Sequence, residues 1–270
     1  MFVSIINDCN DENAMNRQAS RAASFFNSAV STLGVSDFGT EGSGELEAAG
    51  NLIDTLDACE GREGVILVNV ANRHGKGKKW PNGTPFCYFY YKKTLIISTI
   101  DGYCLSLVKK MKLVDSVCVL DIPTVIDAMI SQNLFDETLR RIVVDSQFRS
   151  YEFIPRAAYW LHTHVELPFV SQPIGQIELA PECIWWIDNF GNCVTTLFPE
   201  DIGHQAGKKI QTQFGEVTCY ERLKDVPNGE TGLIVGSSGI GTRRFLGFVI
   251  QGKNAAKTYG IKTGMSFLKI

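Results

Sequence analysis

One run of the sequence, Gly64-Val65-Ile66-Leu67-Val68-Asn69-Val70, is apolar at nearly every position. A strand that is buried on both faces has this composition, and such strands belong to sheets that helices cover. Similar apolar runs occur at 85–91, 94–99 and 116–120. The sequence therefore predicts an α/β layer whose strands are at least partly parallel.

Helical periodicity separates these predicted strands. The predicted helices cover residues 13–30, 45–59, 123–133 and 153–162, and a short strand covers 2–6. Ser43 and Glu45 favour a helix start at the second of these helices, because a hydroxyl can cap the helix and a carboxylate favours its positive end. This alternation predicts a Rossmann-like α/β domain over residues 1–168.

The composition and periodicity of the sequence change after Pro168. From 175 to 270, short strand-like runs alternate with Gly, Asn and Pro, and almost no helical period remains. This pattern is typical of a small barrel or sandwich. We predict a C-terminal β-barrel domain over 173–270, with the boundary near 168–173.

Composition narrows the class of protein. With 44% hydrophobic and 20% charged residues in a chain of 270, a packed core is expected rather than disorder. The net charge of −3 and the lack of an extended basic run argue against a nucleic-acid surface. No basic leader and no apolar run of roughly 20 residues are found, so neither a signal peptide nor a membrane helix is predicted.

The cysteines and histidines do not form a metal-binding pattern. None of the eight cysteines is paired as Cys-x-x-Cys, and the four histidines do not lie near cysteine pairs. Most of the cysteines lie in apolar runs, where a free thiol behaves as a small hydrophobic side chain. We therefore predict a cytoplasmic protein with reduced cysteines and no metal.

The segment Trp185-Trp186-Ile187-Asp188-Asn189-Phe190-Gly191-Asn192-Cys193-Val194-Thr195-Thr196 predicts a strand, a tight turn and a second strand. Asp188, Phe190 and Asn192 would then share one corner, where they could hydrogen-bond a polar group and stack on a flat ring. Gly191 suits the turn because it accepts a positive φ without strain. An ordinary β-turn is the alternative interpretation.

This segment resembles the Ile-Asp-x-Phe-Gly-Asn-x-x-Thr-Asn signature of the S-adenosyl-L-methionine (SAM) hydroxide adenosyltransferase family, which also contains fluorinases and chlorinases. Other motifs follow in the family's order from Asp8 to Met265. The resemblance implies an α/β domain followed by a β-barrel. It also implies a homotrimer, in which SAM lies between the N-terminal domain of one subunit and the C-terminal domain of the next.

In the N-terminal part, three loops resemble the segments that contain the family's catalytic residues. Asp8 matches the Asp that holds the ribose diol, although an acidic loop that caps a helix is the alternative. Asn69 stands where hydrolytic members have an Asp and halogenases a Tyr, Asn72 stands at the halogenase Thr, and Lys76 stands near the family Arg. An Asn cannot act as a carboxylate base, but its amide can orient water or substrate.

A third motif follows at Gln147–Ala158, where Phe148 keeps the family's aromatic wall. Arg149 replaces the His of hydrolytic members, and its charge would attract an anion or polarise a water, or else form a surface salt bridge. Ser150 stands where fluorinases have a Ser that holds halide. We therefore predict that Asn69, Lys76, Arg149 and Ser150 are catalytic, with Asp8, Asn72 and Phe148 binding substrate.

The resemblance assigns the remaining substrate-binding positions to Asp188, Phe190, Asn192, Tyr220, Gly252 and Lys253. The signature contacts methionine and adenine, the Tyr220 position stacks on adenine, and main chain near Gly252 reads the adenine edge. The implied reaction is attack of water on ribose C5′ of SAM, giving adenosine and methionine without a cofactor. A 5′-halogenase, a SAM- or adenosine-binding protein without turnover, and an unrelated structural protein stay open as alternatives.

Overall fold

The computed structural model describes residues 1–35, 42–70 and 83–269. The strands of the first sheet are β1 (Phe2–Asn7), β2 (Val30–Gly34), β3 (Gly64–Asn69), β4 (Phe86–Tyr91), β5 (Thr94–Thr99), β6 (Ser116–Leu120) and β7 (Val170–Pro173). Their order is β2-β1-β3-β5-β4-β6-β7. The first four of these neighbours run parallel, whereas β4 is antiparallel to β5 and β6, and β7 is antiparallel to β6.

Helices cover both faces of this sheet. They are α1 (Glu12–Phe26), α2 (Ser43–Cys59), α3 (Ser106–Lys110), α4 (Ile122–Ser131), α5 (Arg140–Val144), α6 (Arg149–Glu152) and α7 (Ile154–His162). Ile66 and Val68 of β3 pack on the face that α2 covers, whereas Val65 and Leu67 pack on the face covered by α1, α4 and α7. Burial on both faces explains why this strand is a continuous apolar run.

One predicted helix is too long. The sequence predicted helix over 13–30, but α1 ends at Phe26 because Asn27 adopts a left-handed conformation with φ 46°. The chain then forms β2, which the sequence did not predict and which pairs with β1 at the edge of the sheet.

The second sheet is formed by β8 (Ile184–Ile187), β9 (Cys193–Thr195), β10 (Lys209–Thr212), β11 (Gly215–Tyr220), β12 (Thr231–Ile240) and β13 (Arg243–Ile250). Two short helices, α8 (Pro199–Ile202) and α9 (Ala255–Tyr259), accompany it. The strand order is β10-β11-β12-β13-β9-β8, and isolated bridges join Leu268 to Thr212 and Ser266 to Cys183. The fold is thus mixed α/β with two sheets, and closure of the second sheet into a barrel stays a prediction.

Helix α2 joins the two sheets through packed and charged contacts. Trp185 is buried against Gly50, since a Cβ built at Gly50 would lie 2.2 Å from its Cε3. The carboxylate of Asp54 accepts hydrogen bonds from Ser238 Oγ at 2.7 Å and from the Gly239 N–H at 2.8 Å. Asp57 pairs with Arg244 at 2.8 Å. The first sheet extends through Pro173, and strands of the second begin at Ile184; the division into two domains itself remains a prediction.

Candidate active site

Parallel strands β1 and β3 end side by side at Asn7 and Asn69, which are partners in the strand register. Asn69 Nδ2 donates to Asn7 Oδ1 at 2.8 Å and lies 3.5 Å from Asp8 Oδ1. The main chain also joins the two ends, because the Asp8 N–H donates to the Asn69 carbonyl at 3.1 Å. Ligands of open α/β sheets bind at this edge, so Asp8 lies where a substrate is expected.

The orientation of the Asn69 amide follows from a main-chain hydrogen bond. The Cys9 N–H donates to Asn7 at 3.1 Å, so the accepting atom there is the amide oxygen, Oδ1. The group of Asn69 that faces the same oxygen must then be its donor, Nδ2. Asn69 therefore directs its N–H groups at Asn7 and Asp8. An Asp at this position would direct only acceptors at them.

The helix that follows this edge is capped by another residue. Asp11 accepts the Ala14 N–H at 3.0 Å and is the N-cap of α1. The capping role considered for Asp8 is thus performed by Asp11, and Asp8 lies half-buried beside Asn69. Because Asp11 caps the helix, the structure favours the interpretation of Asp8 as a ligand-binding residue.

Arg149 reaches the same edge from α6. It donates to the Thr84 carbonyl at 2.8 Å, and its Cζ lies 5.2 Å from the centre of the Phe86 ring. Phe86 begins β4 and pairs with Thr99 at the end of β5, which places the guanidinium at the carboxyl edge of the parallel strands. Among the residues that the structure describes, Arg149 meets no carboxylate, so the predicted alternative of a surface salt bridge is not observed there.

Burial acts on the charge of Arg149. Desolvation lowers the pKa of the Arg149 guanidinium from its usual value. The group stays charged, because an Arg guanidinium loses its proton only far above neutral pH. A half-buried cation without a counterion attracts an anion. Ser150, the next residue, is buried at 5% exposure.

The segment that carries Phe148, Arg149 and Ser150 is fixed by Glu152. Glu152 pairs with Arg21 of α1 at 2.5 Å and with Arg156 of α7 at 3.0 Å. Phe148 is half-buried and stacks on Tyr151 with ring centres 5.4 Å apart, so its ring forms part of a wall beside α1. Arg21 lies on another helix, so this ion pair could be identified only from the fold.

Two predicted site residues, Asn72 and Lys76, lie outside the described residues. A further carboxylate near this edge was not predicted as a site residue. Glu45, buried in the first turn of α2, accepts the Tyr103 N–H at 2.7 Å in the turn that follows β5. The sequence had assigned Glu45 only to the start of its helix.

The predicted turn between β8 and β9 is organised by Asp188. Its Oδ1 accepts the N–H groups of Phe190 at 2.8 Å and Asn192 at 2.9 Å, and its Oδ2 accepts Asn192 Nδ2 at 2.9 Å. Gly191 has φ 84°, and a Cβ there would lie 2.1 Å from Asn254 Oδ1. Asp188 is thus used mainly to shape the corner, whereas the Phe190 ring is 77% exposed and available for contact.

A cavity of about 500 Å³ opens at this corner. Its lining contains four of the predicted substrate-binding residues, which are Phe190, Asn192, Gly252 and Lys253. An adjoining cavity of about 320 Å³ is lined by Asp188 and Asn192 and also by Ile234 and Val249. Tyr220 packs against Ile234 and Val249 and so lies behind this second cavity. The volumes are in the range of small-molecule sites.

The two groups of predicted residues lie in different places. The cavities at the corner are lined only by residues between 188 and 254. Asp8, Asn69 and Arg149 lie at the carboxyl edge of the first sheet. Neither cavity at the corner is lined by Asp8, Asn69 or Arg149.

In the ranges 1–35, 42–70 and 83–269, no group of three or more His, Cys, Asp or Glu side chains is placed to hold a metal ion. None of the helices described there is long and apolar enough to cross a membrane. The expectation that the chain needs no metal or cofactor stays a prediction.

Similarity to known proteins indicates the class to which this protein is related. Residues 182–267, which form the corner and both cavities, match the model of the SAM hydroxide adenosyltransferase C-terminal domain. The C-terminal part of the chain is therefore similar to the C-terminal domain of this family, in agreement with the resemblance in the sequence. The match points to a SAM-related function of the adenosyltransferase type, with SAM as the small-molecule partner.

Solved structures support the fold over the whole chain. An uncharacterized conserved protein from Thermotoga maritima is 14% identical, with a TM-score of 0.64 and 98% of each chain covered. A conserved hypothetical protein from Thermus thermophilus is 16% identical, with a TM-score of 0.61 and 99% of each chain covered. At these identities the similarity shows the fold alone. No curated protein matches the chain.

Proposed function

We propose that this protein is an enzyme that hydrolyses SAM to adenosine and methionine. The oxygen of water attacks ribose C5′, the bond from C5′ to sulfur breaks with its electron pair on sulfur, and the attacking water releases a proton to the solvent. The sulfonium is already a good leaving group, so the protein needs mainly to position and desolvate the nucleophile. The family match at residues 182–267 supports SAM as the substrate.

The observation that carries the reaction is the charge of Arg149, which meets no carboxylate among the described residues and lies at the edge where Asp8 lies. A desolvated guanidinium favours an anion beside it, so Arg149 would raise the local concentration of hydroxide or orient a water for attack. Ser150 would contribute to the same site, and so would Asn72 and Lys76. Asp8 would accept hydrogen bonds from the ribose hydroxyls.

The cavities of the C-terminal part would hold the rest of the substrate. Phe190 and Tyr220 would provide apolar surface for adenine and methionine, and Asn192, Gly252 and Lys253 would provide polar contacts at the rim. Because the two groups of residues lie apart in one chain, we propose a homotrimer. In it, the first sheet of one subunit would face the corner of the next, where the second sheet forms the predicted barrel.

A second candidate function is SAM binding without turnover. Asn69 favours it, because its amide donates to Asn7 and lies beside Asp8, and an amide cannot accept a proton from water as a carboxylate does. Under this alternative the chain would bind SAM and release no nucleoside. A 5′-halogenase is a variant of the first proposal, in which chloride replaces water beside Ser150.

The test is to incubate the purified protein with SAM, with and without chloride, and to separate the nucleosides by chromatography. Hydrolysis predicts adenosine in both conditions, whereas a halogenase predicts a nucleoside only with chloride. If calorimetry shows SAM binding to folded protein and no nucleoside forms, hydrolysis is excluded and binding without turnover is favoured.

Variants separate catalysis from binding. Arg149→Gln is expected to lower kcat by roughly 100-fold, the size of effect seen when one preorganised charge-stabilising donor is lost, with little change in SAM affinity. Asp8→Ala and Asn192→Ala are expected to weaken SAM binding instead. Arg62→Gln, at an exposed arginine, is the matched control. If Asp8→Ala and Asn192→Ala both leave affinity unchanged in folded protein, the proposed pocket is wrong.

A further inference from the structure

A separate cavity of about 450 Å³ lies near the opposite end of the strands from Asn69. Its lining includes Tyr88 and Tyr90 of β4 and Phe169, the residue before β7. The two tyrosines are two positions apart, so both side chains are on one face of the sheet. Tyr90 pairs with Leu95 near the start of β5, whereas the candidate active site lies at the other edge.

The rings of Tyr90 and Phe169 each stand nearly perpendicular to the ring of Tyr88 and form neighbouring sides of the cavity. Phe169 stands at 84° to Tyr88 with ring centres 5.9 Å apart, and Tyr90 stands at 88° to Tyr88 with centres 6.4 Å apart. Tyr90 is 47% exposed and Phe169 50% exposed, so both rings offer surface to a ligand. Aromatic rings set at such angles around one space are how proteins recognise methylated cations.

A carboxylate gives this cavity its charge. Glu166 lines it as well, together with His164, and within the described residues Glu166 is in no ion pair. Burial raises the pKa of the Tyr88 hydroxyl, and the neighbouring Cys118 raises it further, so Tyr88 is a neutral phenol. In the part of the chain that the structure describes, no Lys or Arg side chain lies over Tyr88, Tyr90 or Phe169.

We propose that this cavity binds a small organic cation of the methylated ammonium or sulfonium class. Methyl groups that carry partial positive charge contact the negative faces of the rings, and Glu166 supplies the opposite charge. An anion would be repelled by Glu166. A bare metal ion would find one carboxylate and too few oxygen ligands. This proposal does not depend on SAM hydrolysis.

The first experiment compares two probes of the same shape. Choline and its neutral isostere 3,3-dimethyl-1-butanol are each titrated into the full-length protein and followed by ligand-observed NMR. Saturable binding of choline, at least roughly fivefold tighter than that of the alcohol, is expected from the cation–ring contribution. Equal binding of both probes, or no saturation by choline, overturns the proposal.

Variants locate the binding. Tyr90→Leu, Phe169→Leu and Glu166→Gln are each expected to weaken choline binding by roughly fivefold, and Tyr90→Phe is expected to restore it because the ring remains. Glu182→Gln, at an exposed carboxylate elsewhere, is the matched control and should bind as the wild type does. The site is contradicted if Tyr90→Leu, Phe169→Leu and Glu166→Gln all bind choline as the wild type does and their thermal unfolding is unaltered. Comparing tetramethylammonium with trimethylsulfonium then distinguishes the two classes of cation.

Discussion

At the edge of the first sheet, the amide nitrogen of Asn69 determines which hydrogen bonds can form. The hydrolytic enzymes that the sequence resembles have a carboxylate at this position, whereas this chain has an amide whose Nδ2 is fixed toward Asn7 Oδ1 and Asp8 Oδ1. The Asn69 N–H thus gives the Asp8 carboxylate a hydrogen-bond donor. We therefore regard Asn69 as a positioning residue for Asp8 as well as a candidate contact to water.

The variant Asn69→Asp tests this role through pH. It would place a second carboxylate close to that of Asp8 and opposite an amide oxygen, and like charges raise the pKa of one of the pair. Binding of SAM to the variant should therefore strengthen as pH rises from 5 to 8, because the ribose hydroxyls donate to the carboxylates best when both are ionised. Wild-type binding should change little. Calorimetric titration at each pH gives the comparison, and parallel profiles for the two proteins would contradict the assigned orientation of Asn69.

The sequence predicted which residues form the candidate site better than it predicted which side chains contact each other. The positions of Asp8, Asn69 and Arg149 were predicted from motif order, and the structure places all three at one edge. That Asn7 fixes the Asn69 amide depends on the register between β1 and β3, which no local pattern contains. The same holds for Glu152, because its partner Arg21 lies on another helix.

At the scale of elements, α2 is the helix that both sheets share. Its Gly50 gives space to Trp185, whose ring is buried in the same core as the residues of α2. Gly50→Ala should lower the free energy of unfolding by about 1–3 kcal/mol, because an added methyl overpacks this contact. Chemical denaturation measures the change. Gly175→Ala, where no atom lies within 4 Å of the added Cβ, is the control and should be nearly neutral.

Asp54 makes the contact between α2 and β12 sensitive to pH. Burial raises the pKa of Asp54 above its usual value of 3.8, despite its hydrogen bonds from Ser238 and Gly239. The folded state then binds more protons than the unfolded state between the two pKa values, so the contribution of Asp54 to stability falls as pH rises through that window. The difference in unfolding free energy between the wild type and Asp54→Asn should decrease accordingly.

Asp57 provides the control of opposite sign. Its hydrogen bond with Arg244 lowers the pKa of Asp57, so its contribution is present above 3.8 and is lost as pH falls through the lower value. The difference between the wild type and Asp57→Asn should therefore increase with pH in the acid range. Denaturation curves at several pH values report both trends, and the same slope for both variants would refute the assignment.

Element type was predictable where burial is simple. The apolar runs of β3 and β5 are buried at almost every position, which is why their sequence indicated them. Strand β2 was missed because it lies at an edge, with no residue fully buried, and follows a helix without a Gly or Pro. Its place is set by pairing with β1, a tertiary contact that overrides the local pattern.

At the scale of the whole molecule, the separation of the two residue groups has a direct consequence. If the site lies between subunits, Asp8→Ala protomers keep an intact C-terminal half and Asn192→Ala protomers keep an intact N-terminal half. Mixing the two inactive proteins under subunit exchange should restore activity to roughly a quarter of the sites, since a heterologous interface joins one of each. No recovery in verified mixed oligomers would place the site within one chain.

The central claim is attack of water on ribose C5′, and the source of one oxygen atom tests it most directly. The protein is incubated with SAM in water enriched in oxygen-18, and the adenosine formed is analysed by mass spectrometry. The proposal predicts adenosine that carries the label at its 5′ oxygen, in equal amount with methionine. Unlabelled adenosine, or no adenosine from folded protein that binds SAM, would contradict it.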